Sequence, residues 1–273
     1  MRDRKYKLFV HSCLILFTII MIGPFIWMFL TSIKTYEETI RIPLQFFPKE
    51  IRWINYKIVY DKFPFLVLYF NTIVVSIFTV LGQLLVVSLA AYAFARIKFR
   101  FKNVLFIGML ALMMLPGQIF IIPRYQLMVG LKITNTLTAL VLPSLFSVFG
   151  VFLLRQFFQA IPLELEESAK LDGCNHFRIY WNIMMPLVTP GLVALGILTM
   201  LSTWKDLMWP IIVNRTMNKM TLSAGLAMLI GQHTTYYEQV MAGAVISVLP
   251  MIIIYLIFQK QFVESIAKTG IKG

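Results

Sequence analysis

The sequence contains few charged residues for its length. Asp, Glu, Lys and Arg together make up 14% of the 273 residues, whereas soluble domains contain about 25%. Hydrophobic residues make up 59%, and the mean hydropathy is +0.79. This composition excludes an ordinary soluble globular protein and indicates a chain that lies largely within a membrane.

Cysteine and the common catalytic motifs are also scarce or absent. The chain has two cysteines, Cys13 in an apolar stretch and Cys174 in a polar one, so we expect neither a disulfide nor a metal site. It has no G-x-x-x-x-G-K-[ST] phosphate loop, no H-E-x-x-H motif and no nucleophile–base arrangement. We therefore predict a non-enzymatic protein with no catalytic residues, and we set aside an intramembrane enzyme.

Long uncharged stretches dominate what is present. Each exceeds the roughly 18 residues that suggest a membrane-spanning helix. They predict a single transmembrane domain over 1–273, an all-α membrane protein with about six transmembrane helices. The predicted spans are approximately 8–30, 68–93, 103–123, 135–155, 187–210 and 239–259. Pro116, Pro123 and Pro143 predict breaks in the third and fourth spans.

The net charge of +13 does not indicate a nucleic-acid partner, because the basic residues are spread over the loops. Their distribution instead indicates the orientation of the chain in the membrane. Basic clusters precede the first span, fill 96–102 between the second and third, and follow the sixth. By the positive-inside rule these segments and both termini are cytoplasmic. Loops 31–66 and 213–238 are then extracytoplasmic, and loop 160–186, between the fourth and fifth spans, is cytoplasmic. Six basic residues in loop 31–66 count little, because four acids accompany them and long loops influence topology weakly.

Loop 160–186 is a polar island between apolar runs, and it predicts two short helices. Pro162 suits a helix start, and the acids that follow complement the helix dipole. Asp172-Gly173 predicts a stop, because glycine adopts the left-handed conformation that ends a helix. Asn175 can cap a second helix.

The predicted second helix has an aromatic face, formed by Phe177, Tyr180, Trp181 and Met184. In the first helix, Ile161, Leu165 and Ala169 share one face. An interfacial hairpin lying on lipid headgroups is the alternative, but its acids would meet a negatively charged inner leaflet.

The stretch ESAKLDG at 167–173, with Pro186 beyond it, resembles the signature loop of permease subunits of binding-protein-dependent ABC importers. Ser168 stands where that family usually has alanine. TSIKT (31–35), AAYAFARIKF (90–99) and LPGQIFIIPRY (115–125) resemble the sugar-importer branch. Within that branch, the chain is most similar to the type of the second permease of the maltose transporter.

The resemblance implies that the island is a coupling element docking into a cleft on a cytoplasmic ATPase. Glu167 would pair with a basic residue of that partner, and Ala169 would permit close approach. Gly173 would set the angle between the two helices, and Ser168 and Asp172 complete the coupling set.

The resemblance also implies the surrounding assembly. The chain would be a multi-pass subunit of a bacterial cell (inner, or plasma) membrane that moves a sugar, in particular an oligosaccharide, into the cytoplasm. Its partners would be membrane lipid, a second homologous permease, two cytoplasmic ABC ATPases and an extracytoplasmic substrate-binding protein that meets loops 31–66 and 213–238. No cofactor is expected in this chain, since ATP and Mg would bind the ATPases. Relatives insert a tail ending in Lys-Gly between the ATPases, and here that pair is Lys272 and Gly273.

A secondary transporter of a small polar solute is the alternative function. That class shows internal repeats and buried ionisable groups for coupling ions. This chain shows no repeat, and its only candidates within the predicted spans are His11 and the Lys205-Asp206 pair.

Candidate pathway residues are Gln118, Lys205 and Asp206. Asn71 and Gln83 fit interhelical hydrogen bonds better than substrate contacts. Lys205 has two interpretations, since relatives usually carry asparagine there. It could extend to the outer interface beside Trp204 and Trp209, or face the pathway and attract an anionic substrate.

Overall fold

The computed structural model describes residues 2–230 and 235–270, and within them it contains helices and no strand. The all-α prediction is thereby confirmed. The helices are α1 (Arg2–Ser32), α2 (Tyr36–Ile40), α3 (Ile54–Lys62), α4 (Phe65–Arg96), α5 (Lys102–Ala111), α6 (Ile121–Gly130), α7 (Thr138–Val141), α8 (Val148–Ala160), α9 (Leu163–Leu171), α10 (His176–Ile179), α11 (Met185–Leu187), α12 (Thr189–Trp204), α13 (Met208–Val213), α14 (Leu222–Ala227) and α15 (Tyr237–Gly270). Short 3₁₀ turns cover Leu112–Met114, Gly117–Phe120, Leu142–Ser144 and Met217–Lys219, and a π-helical turn covers Tyr180–Met184.

Three of the described helical segments are long and apolar enough to cross a membrane alone: Phe9–Ser32, Phe65–Arg96 and Tyr237–Ile257. Three further helix pairs qualify when each bent pair counts as one span, which gives up to six. The bends are 102° between Lys102–Met114 and Gly117–Gly130, 48° between Thr138–Ser144 and Val148–Ala160, and 77° between His176–Leu187 and Thr189–Trp204. The fold is thus that of a multi-pass membrane protein, with half of its spans broken.

Proline accounts for two of the breaks, because it lacks a backbone N–H and cannot continue the hydrogen-bond ladder. Pro116 separates the two 3₁₀ turns in the third span, and Pro143 lies in the 3₁₀ turn of the fourth. Pro123 sits instead in the first turn of α6, where a missing N–H costs nothing. The predicted breaks therefore occur at two of the three prolines.

The chain divides into two compact units, Met1–Phe65 with Gly225–Ile252, and Leu66–Ala224 with Ile253–Gly273. In the first unit, a buried polar network orders the segment after α1. The side-chain amide of Asn55 donates to the carbonyls of Ser32 and Lys34, at 2.9 and 2.8 Å. The ammonium of buried Lys34 donates to the carbonyl of Gln45.

Glu38 anchors the same segment. It forms a capping box with Thr35 at the start of α2, and its carboxylate accepts the backbone N–H of Lys49 at 2.8 Å. Burial alone would raise the pKa of Glu38, but these hydrogen bonds and the charge of Lys34 hold it below its usual value. Burial also lowers the pKa of Lys34, and Glu38 opposes that shift.

The second unit contains a continuous apolar core shared by five helices and the π-helical turn. Its fully buried members are Val87, Ala91, Tyr92, Val151, Leu154, Phe158, Ala169, Ile179, Tyr180, Met184, Val188 and Leu195. They come from α4, α8, α9, α10, the π-helical turn, the residue before α12 and α12 itself. The polar island at 160–186 is therefore packed onto the membrane helices rather than tethered loosely to them.

Candidate functional site

The helix–turn–helix predicted within 160–186 is present as α9 and α10, which we call the hairpin. Its turn is closed by two backbone hydrogen bonds, from the N–H of Cys174 to the carbonyl of Ala169 at 2.9 Å and from the N–H of Gly173 to that of Lys170 at 3.0 Å. This is the Schellman pattern, and Gly173 supplies the left-handed residue with φ +79°. The predicted helix stop is confirmed.

The second helix begins as predicted, because the side chain of Asn175 accepts the backbone N–H of Arg178 at 2.8 Å. The prediction of a single aromatic face on this helix is wrong. Tyr180 and Met184 are fully buried, while Phe177 and Trp181 are 69% and 53% exposed. The π-helical turn contributes to this division, since its wider spacing changes which side chains share a face.

The five coupling residues do not share one environment. Glu167, Ser168, Asp172 and Gly173 are exposed on the hairpin. Ala169 is buried in this chain's own core, where it permits close approach of α9 to that core. Leu165, expected to lie on the same inner face, is 45% exposed.

The residue on the inner face of α9 is Glu166, which the sequence interpretation missed. Its side chain is 3% exposed, and its Oε2 lies 3.9 Å from Nε of Arg96, the last residue of α4, whose side chain is 4% exposed. A lone buried carboxylate is strongly disfavoured, so the cation determines whether Glu166 can lie there. The sequence contains one signal for the burial of Glu166, namely its spacing, because Glu166 shares a helix face with Ala169 three residues later.

Two further basic side chains lie at the same carboxylate. The ammonium of Lys170, one turn later on α9, lies 2.9 Å from Oε1 of Glu166, and Nδ1 of His176 lies 3.9 Å from it. Of the three contacts, that of Lys170 is short enough for a charge-assisted hydrogen bond, and the other two are longer. The compensation of this buried charge is thus electrostatic.

Arg96 also holds the end of α8. Its Nη2 donates to the carbonyl of Phe158 at 2.5 Å and to the carbonyl of Ile161. These carbonyls lie at the carboxyl end of a helix, where a cation is favoured by the helix dipole. One guanidinium therefore joins the end of α4, the end of α8 and the inner face of α9, and we call Arg96 with Glu166 the clamp.

A second contact joins the hairpin to α4. The hydroxyl groups of Tyr180 and Ser88 lie 2.7 Å apart. The ring of Tyr92 packs against Tyr180 at 5.3 Å and against Phe158 at 5.7 Å, measured between centroids. Such aromatic contacts resist independent sliding of the elements that carry them.

A cavity of about 600 Å³ lies elsewhere in the second unit. It is lined by Val75, Thr79, Gln83, Leu140, Ser144, Thr199, Ser202, Thr203, Lys205, Asp206, Leu207, Met208, Pro210 and Thr221. The structure thus brings Lys205 and Asp206 together at one cavity. It does not bring Gln118 there, since that side chain lies exposed in the 3₁₀ turn Gly117–Phe120.

Asn71 and Gln83 make the structural contacts that the sequence favoured. The side-chain amide of Gln83 donates to the carbonyl of Ser144 at 2.8 Å, and its oxygen contacts the hydroxyl of Thr199 on α12. Asn71 donates to the carbonyls of Asn218 and Met220, each at 2.9 Å. Gln83 nevertheless lines the cavity, so it connects helices and faces the open space as well.

The two tryptophans beside Lys205 are buried within the protein, and the expected position of Lys205 at the outer interface stays a prediction. Trp204 and Trp209 are 5% and 4% exposed, and the indole N–H of Trp209 donates to the carbonyl of Ala139 at 2.9 Å. The guanidinium of Arg124 stacks over the Trp209 ring at 5.3 Å. Lys205 itself is exposed and follows the last residue of α12.

The remaining candidates are metal ligands, the two cysteines and the tail. No group of three or more potential metal ligands occurs in the described part of the chain. Cys13 and Cys174 are free thiols. The predicted ATPase-contacting pair Lys272 and Gly273 lies outside the described residues.

Comparison with known proteins places this geometry in context. A family model described as "Binding-protein-dependent transport system inner membrane component" matches residues 84–268. The chain is 32% identical over 271 residues to the arabinooligosaccharides transport system permease protein AraQ of Bacillus subtilis, covering 98% of this chain and 96% of that protein. It is 28% identical over 271 residues to the sn-glycerol-3-phosphate transport system permease protein UgpE of Yersinia enterocolitica, covering 96% of each.

Among solved structures, the chain is similar to one from a bacterial ABC transporter involved in the import of the acidic polysaccharide alginate. The TM-score is 0.81 at 25% identity, over 95% of this chain and 97% of that one. A second structure, of a bacterial alginate ABC transporter with a periplasmic protein bound to an alginate pentasaccharide, gives a TM-score of 0.65 at 14% identity and covers 94% of this chain and 93% of that one. The second match supports the fold alone.

Proposed function

The chain belongs to the family of binding-protein-dependent transport system inner membrane components, and from that premise we propose that it is a permease subunit importing a saccharide at the expense of ATP hydrolysed by a partner. The observation that carries this proposal is the hairpin. It exposes the 167–173 motif on one side and is fixed to the membrane helices on the other. The chain itself has no phosphate-binding loop, so the hydrolysis belongs to another subunit.

The proposed assembly contains a second, similar permease, two cytoplasmic ABC ATPases and an extracytoplasmic substrate-binding protein. ATP and Mg would bind to the ATPases. Relatives named as arabinooligosaccharide and glycerol-3-phosphate permeases support transport of polar, hydroxyl-rich solutes. An oligosaccharide is the substrate class we propose.

The hairpin is proposed to face the cytoplasm. The supporting observation is the distribution of basic residues, which by the positive-inside rule favours a cytoplasmic side for the termini and loop 96–102. Loops 31–66 and 213–238 would then meet the binding protein outside.

Coupling is proposed to run through the clamp. An ATPase that closes on the exposed face of α9, at Glu167, Ser168 and Asp172, would displace the hairpin. Arg96 would pass that displacement to the ends of α4 and α8, because it bonds to the carbonyls of α8 and pairs with Glu166. The Tyr180–Ser88 contact would pass it to α4 as well. The hairpin and these helix ends would move together, since each would otherwise leave buried polar groups unpaired.

The experiment is purification of the whole importer and measurement of ATPase activity stimulated by the binding protein and its ligand. Glu167→Lys reverses the charge on the exposed face, so we expect stimulated ATPase activity to fall to the basal rate while membrane levels stay normal. Glu164→Lys is the matched control, since it makes the same charge change on α9 outside the motif, and it should retain most of the stimulation.

Wild-type stimulation in Glu167→Lys would refute a coupling role for that residue. Purification of the chain without any ATPase would refute the importer itself and favour the secondary transporter.

For the tail, we propose that deletion of residues 269–273 lowers transport more than it lowers membrane levels. Equal falls in both would show a role in stability only.

A further inference from the structure

The segment between α2 and α3, residues 41–53, exposes several large apolar side chains, and we call it the apolar loop. Each is at least 59% exposed, and they are Ile42, Leu44, Phe46, Phe47, Ile51 and Trp53. Single exposed apolar residues are normal on a protein surface, whereas a group of them marks a site of interaction with a partner or a membrane. The apolar loop is therefore a surface that needs a cover from outside the described part of the chain.

Hydrogen bonds within the first unit fix the apolar loop in place. The carbonyl of Gln45 accepts the ammonium of Lys34, and the backbone N–H of Arg52 donates to the carbonyl of Ile33 at 2.9 Å. The exposed side chains between these two anchors are thus carried by an ordered backbone. Because the entropy of ordering that backbone is already lost on folding, covering the apolar side chains gains hydrophobic free energy at little further cost.

Ring contacts show where the apolar loop lies along α1. The ring of Phe46 lies 5.3 Å from that of Trp27, and the ring of Trp53 lies 6.3 Å from that of Phe29, measured between centroids. Trp27 and Phe29 belong to the apolar span that ends at Ser32. At a rise of 1.5 Å per residue they lie about 4.5–7.5 Å inside the end of that span. The apolar loop therefore folds back to the depth of the membrane boundary beside α1.

Basic side chains accompany the apolar ones. Arg41, Lys49 and Arg52 are exposed, and none has a carboxylate within 4.0 Å among the described residues. Glu50 is the only acid in 41–53. Segments that lie in a membrane interface combine apolar and aromatic side chains with Lys and Arg, which are attracted to anionic lipid headgroups. The charge of the apolar loop thus complements an anionic lipid surface.

A protein partner is the other possible cover, and two observations disfavour it. The core of a protein interface is depleted of lysine, yet Lys49 lies between the exposed aromatic and aliphatic side chains of the apolar loop. The loop also adjoins a surface that faces lipid by composition, since none of the most apolar window of α1 is buried inside the chain. Lipid is therefore the cover that both observations favour.

We infer that the apolar loop anchors this chain in the interface of an anionic bilayer, with its apolar side chains inserted beside the end of α1 and with Arg41, Lys49 and Arg52 contacting lipid phosphates. The inference rests on the membrane location of the chain and not on its transport function. A binding protein that meets loop 31–66 would then contact α2 and α3, on either side of the apolar loop.

The test measures the depth of a nitroxide label on the full chain, purified with the subunits that accompany it and placed in lipid nanodiscs. Cys13→Ser and Cys174→Ser remove both native thiols. Phe47→Cys or Leu44→Cys then carries the label, and the same preparation without an introduced thiol gives the background signal. Depth is obtained from collision rates with oxygen, which enters lipid, and with a neutral nickel chelate, which stays in water. Spin-labelled lipids in the same nanodiscs calibrate it.

We expect both labels to lie about 5–10 Å below the lipid phosphates, the usual depth of interfacial segments. Glu37→Cys is the control reporter, because it is an exposed acid on α2, outside the apolar loop, and its label should stay in water. The labels in the loop should lie deeper in an equal mixture of phosphatidylcholine and phosphatidylglycerol than in phosphatidylcholine alone, because the anionic headgroup attracts the basic side chains.

The triple variant Arg41→Gln with Lys49→Gln and Arg52→Gln should remove this dependence on lipid charge. The matched control deletes the same number of charges from exposed lysines of the second unit, by Lys132→Gln, Lys205→Gln and Lys219→Gln. It should preserve the dependence. Equal depth in the two lipids would overturn the contact with anionic phosphates.

Three results would overturn the insertion itself. Labels at 44 and 47 that meet the nickel chelate as often as the label at 37 would place the apolar loop in water. Labels that meet neither reagent would show a protein cover, and labels that lose contact with the chelate only when the binding protein is added would show a docking surface for it. The depth measurement requires no ATPase activity, so failure of the inference leaves the proposed function standing, and failure of the proposed function leaves the measured depth unchanged.

Discussion

Arg96 and Lys205 are both cations at the carboxyl end of a helix, Arg96 as the last residue of α4 and Lys205 just after α12. The Arg96 side chain is 4% exposed, donates to two carbonyls and pairs with Glu166. Lys205 is exposed and has no acidic partner in the described part of the chain. The same type of charge is therefore buried and paired in one region and exposed without an acidic partner among the described residues in the other.

The difference in burial between Arg96 and Lys205 also has a mechanical consequence. A buried ion pair is costly to break, so the elements it joins move together. An exposed cation costs little to keep unpaired in water, so Lys205 places no comparable constraint on the elements around it. Of these two cations, Arg96 is the one whose contacts join several helices.

The largest expected effect comes from Arg96→Met, which leaves Glu166 buried with a major cation removed. We expect a loss of about 3–5 kcal/mol in the free energy of unfolding and a sharp fall in the amount of chain in the membrane. Thermal unfolding of the purified complex and quantitative blotting of membranes measure this. Arg100→Met, at an exposed position, is the control and should behave as wild type.

The double variant Arg96→Met with Glu166→Leu sharpens this prediction. Replacing both members of a buried pair is often neutral for stability, so the amount of protein should recover. Stimulated ATPase activity should stay below wild type if the clamp transmits motion. Full recovery of both would show that the pair serves stability alone.

The next largest effect is expected at Gly173, whose φ of +79° excludes proline. Gly173→Pro should abolish stimulated ATPase activity, because the turn between α9 and α10 cannot form as observed. Gly173→Asn should retain most of it, since asparagine tolerates the left-handed conformation. Similar activity in the two variants would mean that the angle of the hairpin does not matter for coupling.

A smaller effect is expected at Asn175, which caps α10. Asn175→Ala should cost about 1 kcal/mol and increase amide exchange over residues 176–179. Hydrogen exchange with mass spectrometry on the purified complex measures this, with Asn175→Ser as the control. Unchanged exchange would show that core packing at Ile179 and Tyr180 suffices to hold α10.

The smallest effect on stability is expected at the cavity. Thr79→Val with Thr221→Val removes two hydroxyl groups that have no described partner, so the free energy of unfolding should change by less than about 1 kcal/mol. Thermal unfolding of the purified complex measures this change. A large loss of stability without ligand would reveal a structural role for these hydroxyl groups and reduce the contrast with the clamp.

The sequence determined the fold class and the hairpin because both depend on local rules. Uncharged runs longer than about 18 residues have few alternatives to a membrane-spanning helix. Gly173 and Asn175 act within three or four residues of themselves, so their roles as helix stop and helix cap follow from neighbours in the chain. The motif at 167–173 was recognisable for the same reason.

Tertiary structure alone decided which side chains face inward. Glu166 lies inside because Arg96, 70 positions earlier, is brought to the same point by the packing of α4 on α8 and α9. Trp204 and Trp209 are buried by contacts that hydropathy cannot show, and Gln118 does not line the cavity that Lys205 and Asp206 share. Burial and charge pairing depend on side chains that are distant in the sequence. Local sequence patterns do not specify which of these side chains come into contact.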